Sequence, residues 1–370
     1  MKTKAAVLWE LNAPWSIEDI ELDAPGPNEV LVKLAASGLC HSDEHLVTGD
    51  LPFELPIIGG HEGAGVVVEV GPGVTSVEVG DHVSASFVPS CGRCRYCSTG
   101  RQNLCDNGAK TFVGGMITDD THRHFVNGQP VTLMAKVGTF SEFACVSEQS
   151  IIKVEKDIPL ECVALVSCGV ATGWGSAANR AGTQPGDTVV VVGIGGIGMN
   201  AVQGARMAGA KRIIAIDPVE FKREKAMEFG ATHTFPSMAD AMMSVMEMTY
   251  GQMADRVIMT PGVLHGEMMG EAMNLAGKGS TVVVTAISPM TSETANINLF
   301  NLAMWNKEIK GTIFGSLNPR ADIPALLDMY RAGQLMLDEL ITKTYKLEDI
   351  NEGYEAMRDG TNLRGVIVNA

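Results

Sequence analysis

The chain has 370 residues, with 28 Lys and Arg against 43 Asp and Glu, for a formal net charge of −15. At roughly 100–200 residues per domain it divides into two domains, each large enough to bury its own core. The acidic balance argues against nucleic acid or an anionic membrane surface as the main partner. Eight cysteines are too dilute for a disulfide-stapled secreted scaffold, and 45% hydrophobic residues exclude a disordered chain.

The N-terminal run Met1–Trp9 reads as a first strand, because a signal peptide needs a longer apolar core and a small-residue cleavage site. The sequence shows no apolar run of the length a membrane span needs, about 18 residues. A cytoplasmic protein with reduced thiols is expected. The first third is β-rich: Glu29–Ala36 and Gly65–Val70 are valine-rich runs, bounded by Pro-Gly-Pro at 25–27 and Gly-Pro-Gly at 71–73. From Thr188 the pattern alternates. Thr188–Val192 predicts a strand, about Gly196–Ala208 a helix, Arg212–Ile216 a strand, Glu220–Phe229 a helix and Thr281–Ala286 a strand. That alternation predicts a doubly wound parallel sheet, an α/β unit. An amphipathic helix at Ile323–Ala332, a helix start at Leu347–Ile350 and a strand at Gly365–Val368 close the chain.

Glycine makes up 41 residues, roughly 11% against a usual ~7%. Part of the excess falls in Gly193-Ile194-Gly195-Gly196-Ile197-Gly198, straight after Val189–Val192. Gly193 permits the tight turn, Gly195 lets the backbone approach a pyrophosphate, and Gly198 lets the following helix pack on its strand. A glycine-rich turn without a ligand has the same local pattern. Here, however, the motif joins a predicted strand to a predicted helix, and Asp217 ends the next strand. A carboxylate there bonds the adenosine ribose 2′-hydroxyl and repels a 2′-phosphate, so NAD is predicted over NADP. Lys222 is in reach of the same ribose, or is a solvated helix lysine.

Cys91, Cys94, Cys97 and Cys105 have the spacing C-x₂-C-x₂-C-x₇-C. Four thiolates so close wrap one tetrahedral Zn²⁺ in a closed, structural site, within a lobe at about 90–106. An iron–sulfur cluster is the alternative chemistry, although the third gap is wrong for the bacterial ferredoxin run. Cys40, His61 and Cys168 sit in or beside glycine-marked segments, and a Cys-His-Cys set with an open fourth position would be a catalytic zinc centre. Cys145 and Cys162, among apolar neighbours, read as buried structural thiols.

Gly38-Leu39-Cys40-His41-Ser42-Asp43, Gly60-His61-Glu62, the four-cysteine lobe, Cys168–Gly173, the 193–198 turn and Leu363-Arg364-Gly365 occur in the order of the zinc-dependent medium-chain alcohol dehydrogenases. The chain resembles that family over essentially its whole length. The segment between Cys105 and Gly138 is similar to the longer-chain, often dimeric, branch. The whole also resembles actinobacterial nicotinoprotein alcohol dehydrogenases, which keep NAD bound and reduce an artificial nitroso acceptor. The resemblance implies a GroES-like catalytic domain at 1–169, a Rossmann NAD-binding domain at 170–313, and a segment at 314–370 returning to the first. It implies catalytic zinc on Cys40, His61 and Cys168 with Glu62 close behind, structural zinc in the lobe, and thus two Zn²⁺ per chain. Ser42 would take the alcohol proton and pass it through the nicotinamide ribose to His45 at the surface. Phe87 would line the substrate channel, Thr172 would pack near the nicotinamide, and His41 and Arg364 would approach the pyrophosphate. The remaining histidines, His82, His122, His124, His233 and His265, match no ligand of the family.

The expected function is hydride transfer between a primary alcohol or aldehyde and NAD, in a homodimer or tetramer. A thiol-dependent formaldehyde dehydrogenase of the same family competes with it. That reading needs positive charge at the pocket mouth, for which Lys110 is a candidate. A non-catalytic NAD-binding sensor is the reading from another class, and it predicts one zinc rather than two.

Overall fold

The computed structural model describes residues 1–369, which fall into two compact units: Met1–Gly169 with the stretch from Asn318 onward, and Val170–Leu317. The second division lies four residues past the expected 313/314 boundary.

In the first unit the valine-rich run became strand Glu29–Gly38, the longest strand of a seven-stranded sheet. It pairs antiparallel with Gly63–Val70, Phe143–Ser147 and Arg364–Val368. The last of these comes from the far end of the sequence. A six-stranded sheet built on Lys2–Leu8 completes the unit. Alternate side chains of these strands bury Val30, Val32, Leu34 and Val67 with Trp15, Phe140 and Tyr354 in one core, as the period-2 pattern requires. Trp15 and Phe140 meet edge to face, with centroids 5.6 Å apart.

The second unit holds six parallel strands in the order His233–Phe235, Arg212–Ile216, Thr188–Val192, Ala254–Met259, Ala276–Val284, Glu308–Gly311. Counted along the unit this is 3-2-1-4-5-6, the doubly wound arrangement whose switch point lies beside the first strand. Thr188–Val192 is buried throughout, as expected of a strand covered on both faces.

The strand predicted at Thr281–Ala286 instead begins at Ala276 and ends at Val284. One helical run, Leu160–Arg180, is by length and composition alone long and apolar enough to cross a membrane. However, 83% of its most apolar stretch is buried inside the protein, as in a core helix. The eight cysteines are free thiols.

Candidate active site

Helix His41–Thr48 opens directly after strand Glu29–Gly38, with Cys40 at its N-cap. His61 and Glu62 immediately precede strand Gly63–Val70, which pairs with that same strand. Cys168 sits in the π-helical turn Val166–Val170, a local widening of the helix that is frequent at functional sites. These elements bring Cys40, His61, Glu62 and Cys168 together, with one donor atom of each within 4.8 Å of all the others and every residue buried. His61 Nε2 is buried and has no hydrogen-bond partner, a cost that a bound cation at that nitrogen removes. The other ring nitrogen, Nδ1, lies 3.3 Å from Asp43 Oδ1, and the same oxygen accepts the Gly60 amide at 3.0 Å. Asp43 is fully buried, and this carboxylate–histidine arrangement aims Nε2 at the centre of the cluster.

Glu62 lies behind the thiols. One of its oxygens accepts the Gly169 amide at 3.1 Å and the other takes a short hydrogen bond from Arg364. Burial pushes the Glu62 carboxyl up to about 7 against the pull of Arg364. Arg364 is 4% exposed and also donates to the Leu39 carbonyl, so its guanidinium is committed to Glu62 and the backbone. Cys40 and Cys168 share a hydrogen bond that draws the Cys40 thiol well down and pushes Cys168 well up. The two thiols thus resist ionising together without a cation between them. The Phe87 ring stands edge-on to His61, with centroids 5.7 Å apart.

Ser42 Oγ is 3.8 Å from Cys40 Sγ, and His45 follows one helical turn on. The structure corrects the surface location expected of His45. It is 2% exposed, its Nδ1 lies 2.9 Å from Asp50 Oδ2, and its ring meets that of His41 at 5.0 Å.

The four lobe cysteines form a second cluster, again with donor atoms within 4.8 Å of one another. The amides of Cys94 and Cys97 donate to the sulfurs of Cys91 and Cys94, each at 3.4 Å. Amides of Cys97 and Asp106 bring the Cys94 thiol down to about 6, whereas burial pushes Cys97 up to about 12. Such a set fits one structural Zn²⁺.

In the second unit the turn after Thr188–Val192 has Gly193 at φ +87°, a left-handed conformation that favours glycine. A Cβ on Gly198 would meet the Gly193 carbonyl oxygen at 1.8 Å, and one on Gly195 would meet nothing within 4 Å. Gly195 caps helix Gly196–Met207 with no side-chain bond. The helix therefore presents its free amides, including those of Gly196 and Ile197, to open space. Asp217 is 5% exposed, and its two carboxylate oxygens accept the amides of Ile194 at 2.7 Å and Val219 at 2.9 Å. Thr172 is buried, and its hydroxyl has no hydrogen-bond partner. Lys222 lies half-buried on helix Glu220–Phe229.

Sequence reasoning missed three residues. Asp43 stands inside the quoted Cys40–Asp43 motif, and its i+3 spacing from Cys40 was the available signal. Asp50 lies five residues from His45, and the turn at Gly49 was the available signal. Arg223, next to Lys222, donates to the Asp217 and Pro218 carbonyls at 2.8 Å and braces the turn that carries Asp217.

The alcohol dehydrogenase GroES-like domain family matches residues 26–156, and the zinc-binding dehydrogenase family matches residues 196–332. The chain is 53% identical to the NDMA-dependent alcohol dehydrogenase of Amycolatopsis methanolica over 370 residues, 100% of both chains. Among solved structures it is similar to an alcohol dehydrogenase zinc-binding domain protein from Burkholderia ambifaria. That match has 32% identity and a TM-score of 0.93, covering 100% of this chain and 99% of the other. Benzyl alcohol dehydrogenase from Acinetobacter calcoaceticus matches at 30% identity and a TM-score of 0.92 over 100% of both chains. The chain belongs to the zinc-binding medium-chain alcohol dehydrogenase family, a family of oxidoreductases acting on alcohols.

Proposed function

We propose that this protein transfers hydride between a primary alcohol and NAD, and that the NAD stays bound between turnovers. The observation that carries the first part is the buried Cys40–His61–Cys168 set with His61 Nε2 unpartnered. The retained cofactor is what the resemblance to nicotinoprotein alcohol dehydrogenases implies, and the 53% identity to an NDMA-dependent alcohol dehydrogenase supports it. When bound, a zinc ion at the three donors acidifies a hydroxyl beside it, and NAD in the glycine turn accepts hydride. Cys40, His61 and Cys168 would hold the metal, and Asp43 keeps the His61 ring in the ligating orientation. Ser42 takes the hydroxyl proton and His45 receives it. Phe87 presents an apolar wall that favours a hydrophobic substrate. Asp217, fixed by two amides, offers its remaining lone pairs to the adenosine ribose, which supports NAD over NADP.

In the second unit, Leu299 and Phe300 are each 68% exposed on helix Leu299–Met304, and the outermost strand that follows it, Glu308–Gly311, exposes Ile309. An unpaired sheet edge and exposed apolar side chains favour association with a second copy, and a homodimer is our reading. The thiol-dependent alternative loses support, because Lys110 lies 3.3 Å from Asp120 and its charge is offset there.

The test combines metal analysis with an absorbance scan. Two zincs per chain are expected, together with NADH absorbance that appears on adding alcohol and survives gel filtration. His61→Ala should lose one zinc and turnover while keeping the other zinc. One zinc per chain in the unaltered protein, with no hydride transfer, would establish the sensor reading instead. A cofactor lost on gel filtration would remove the retained-NAD part alone.

A further inference from the structure

Two of the proposed metal ligands arrive on different pieces of chain. Cys40 follows the end of strand Glu29–Gly38, and His61 lies in the loop just before strand Gly63–Val70. A metal site works only when its donors are held close to one geometry, so the two pieces must be kept in register. Where they meet, the Glu62 carbonyl faces three donors: the Ser37 hydroxyl at 2.8 Å, the Gly38 amide at 3.0 Å and the Thr139 hydroxyl at 3.2 Å. The two hydroxyls lie 2.6 Å apart, so one donates to the other and the chain of bonds ends on the carbonyl. Ser37 and Thr139 are both buried. Backbone amides complete the clamp, Thr139 donating to the Gly60 carbonyl at 3.0 Å and Phe140 to that of Gly59 at 2.9 Å. Glycines at 60 and 63 leave room for Thr139. A Cβ on Gly60 would stand 2.6 Å from its hydroxyl oxygen, and one on Gly63 would stand 2.5 Å from its methyl carbon. The Thr139 side chain is thus confined on both sides.

We propose that Ser37 and Thr139 are positioning residues of the metal centre: their paired hydroxyls lock the Glu62 carbonyl, and with it the His61–Glu62 loop, against the strand end that delivers Cys40. The inference rests on the reading of Cys40, His61 and Cys168 as a zinc set. Asp43 aims the His61 ring, but aiming the ring does not fix where the His61 backbone stands. The hydroxyl pair supplies that second constraint. Neither hydroxyl is needed to satisfy the carbonyl, because the Gly38 amide already does so. Replacing both partners of a buried hydrogen bond by apolar groups of similar shape is nearly neutral for stability, so fold and metal site can be tested apart.

The test uses the full-length holoenzyme beside Ser37→Ala, Thr139→Val, the two combined, and Thr139→Ser. Each is dialysed against a graded series of chelator concentrations, and the zinc left per chain is measured together with the melting temperature. The lobe zinc, held by four other residues, is the internal reference. The combined variant should give up the catalytic zinc at about tenfold less chelator, the low end for outer-shell partners of a metal site, while the lobe zinc holds. Each single removal should fall between, because the remaining hydroxyl still reaches the carbonyl. Thr139→Ser keeps the hydroxyl and should match the parent. With cobalt in place of the catalytic zinc, the visible spectrum of the combined variant should differ from the parent's, reporting a changed donor arrangement. The proposal is overturned if the combined variant matches the parent in both the chelator series and the spectrum, or if Thr139→Ser loses zinc as readily as Thr139→Val. It is also overturned if both zincs loosen together as the melting temperature falls, since that is a loss of fold rather than of position. Should the combined variant fail to fold, Thr139→Val decides: easier loss of the catalytic zinc alone supports the proposal, and no change overturns it. A parent that carries only the lobe zinc removes the metal reading itself, a result seen before any variant is compared.

Discussion

His124 begins strand His124–Val126 with 1% of its surface exposed, and its Nε2 accepts the Cys145 amide at 3.3 Å. That nitrogen must therefore be unprotonated, and burial pushes the imidazole down to about 3. The unfolded chain takes up this proton near pH 6.5, so stability is lost as pH falls from there toward 3. The loss is about 2 kcal/mol at pH 5. His124→Gln, which keeps an acceptor but cannot titrate, should flatten that part of the pH–stability curve in urea unfolding. A native imidazole titrating near 6.5 by NMR would sink the idea. The neighbouring Glu29 shows the other way of burying charge. It is fully buried, and both its oxygens are taken by Arg123, at 2.8 and 3.1 Å.

At the scale of single elements, the glycine turn makes the strongest demand. Because a Cβ at 198 would overlap the Gly193 carbonyl, Gly198→Ala should push helix Gly196–Met207 off its strand. The expected cost is about 1–3 kcal/mol, typical of overpacking, together with loss of bound NAD. Calorimetry and cofactor content after gel filtration check both, and unchanged NAD content would remove the turn from the cofactor site. This turn was legible in the sequence because strand, glycines and Asp217 lie within one short stretch, and so was the lobe, with four cysteines in 15 residues. Cys40, His61 and Cys168 are spread along the chain, and only family resemblance joined them. The Glu62–Arg364 pair depends on tertiary placement, which no local pattern encodes, whereas Asp50 lies only five residues from His45, across the turn at Gly49. The misplaced start of strand Ala276–Val284 has a local cause. Gly277 and Gly279 look like turn residues, but a Cβ on Gly277 would meet the Gln252 carbonyl at 2.2 Å, and Gly279 sits at φ +68°. Both are glycines of an irregular strand start, where pairing with Ala254–Met259 shifts register.

For the whole molecule, the exposed edge of the second unit sets the expected assembly. Placing charge there with Phe300→Glu and Ile309→Lys together should convert the proposed dimer to a monomer in sedimentation velocity, with the lobe zinc retained. A parent protein that sediments as a monomer at micromolar concentration would refute the dimer. The two units also differ in how the chain supplies them. Val170–Leu317 is one uninterrupted stretch, whereas the first unit closes only when strand Arg364–Val368 lies beside Glu29–Gly38. During synthesis, therefore, the nucleotide-binding unit is complete while the metal pocket still lacks the counter-charge for Glu62. Until Arg364 leaves the ribosome, that carboxylate sits beside two thiols with no cation to balance it. Final closure of the pocket thus follows completion of the second unit, because Arg364 comes after that unit in the chain.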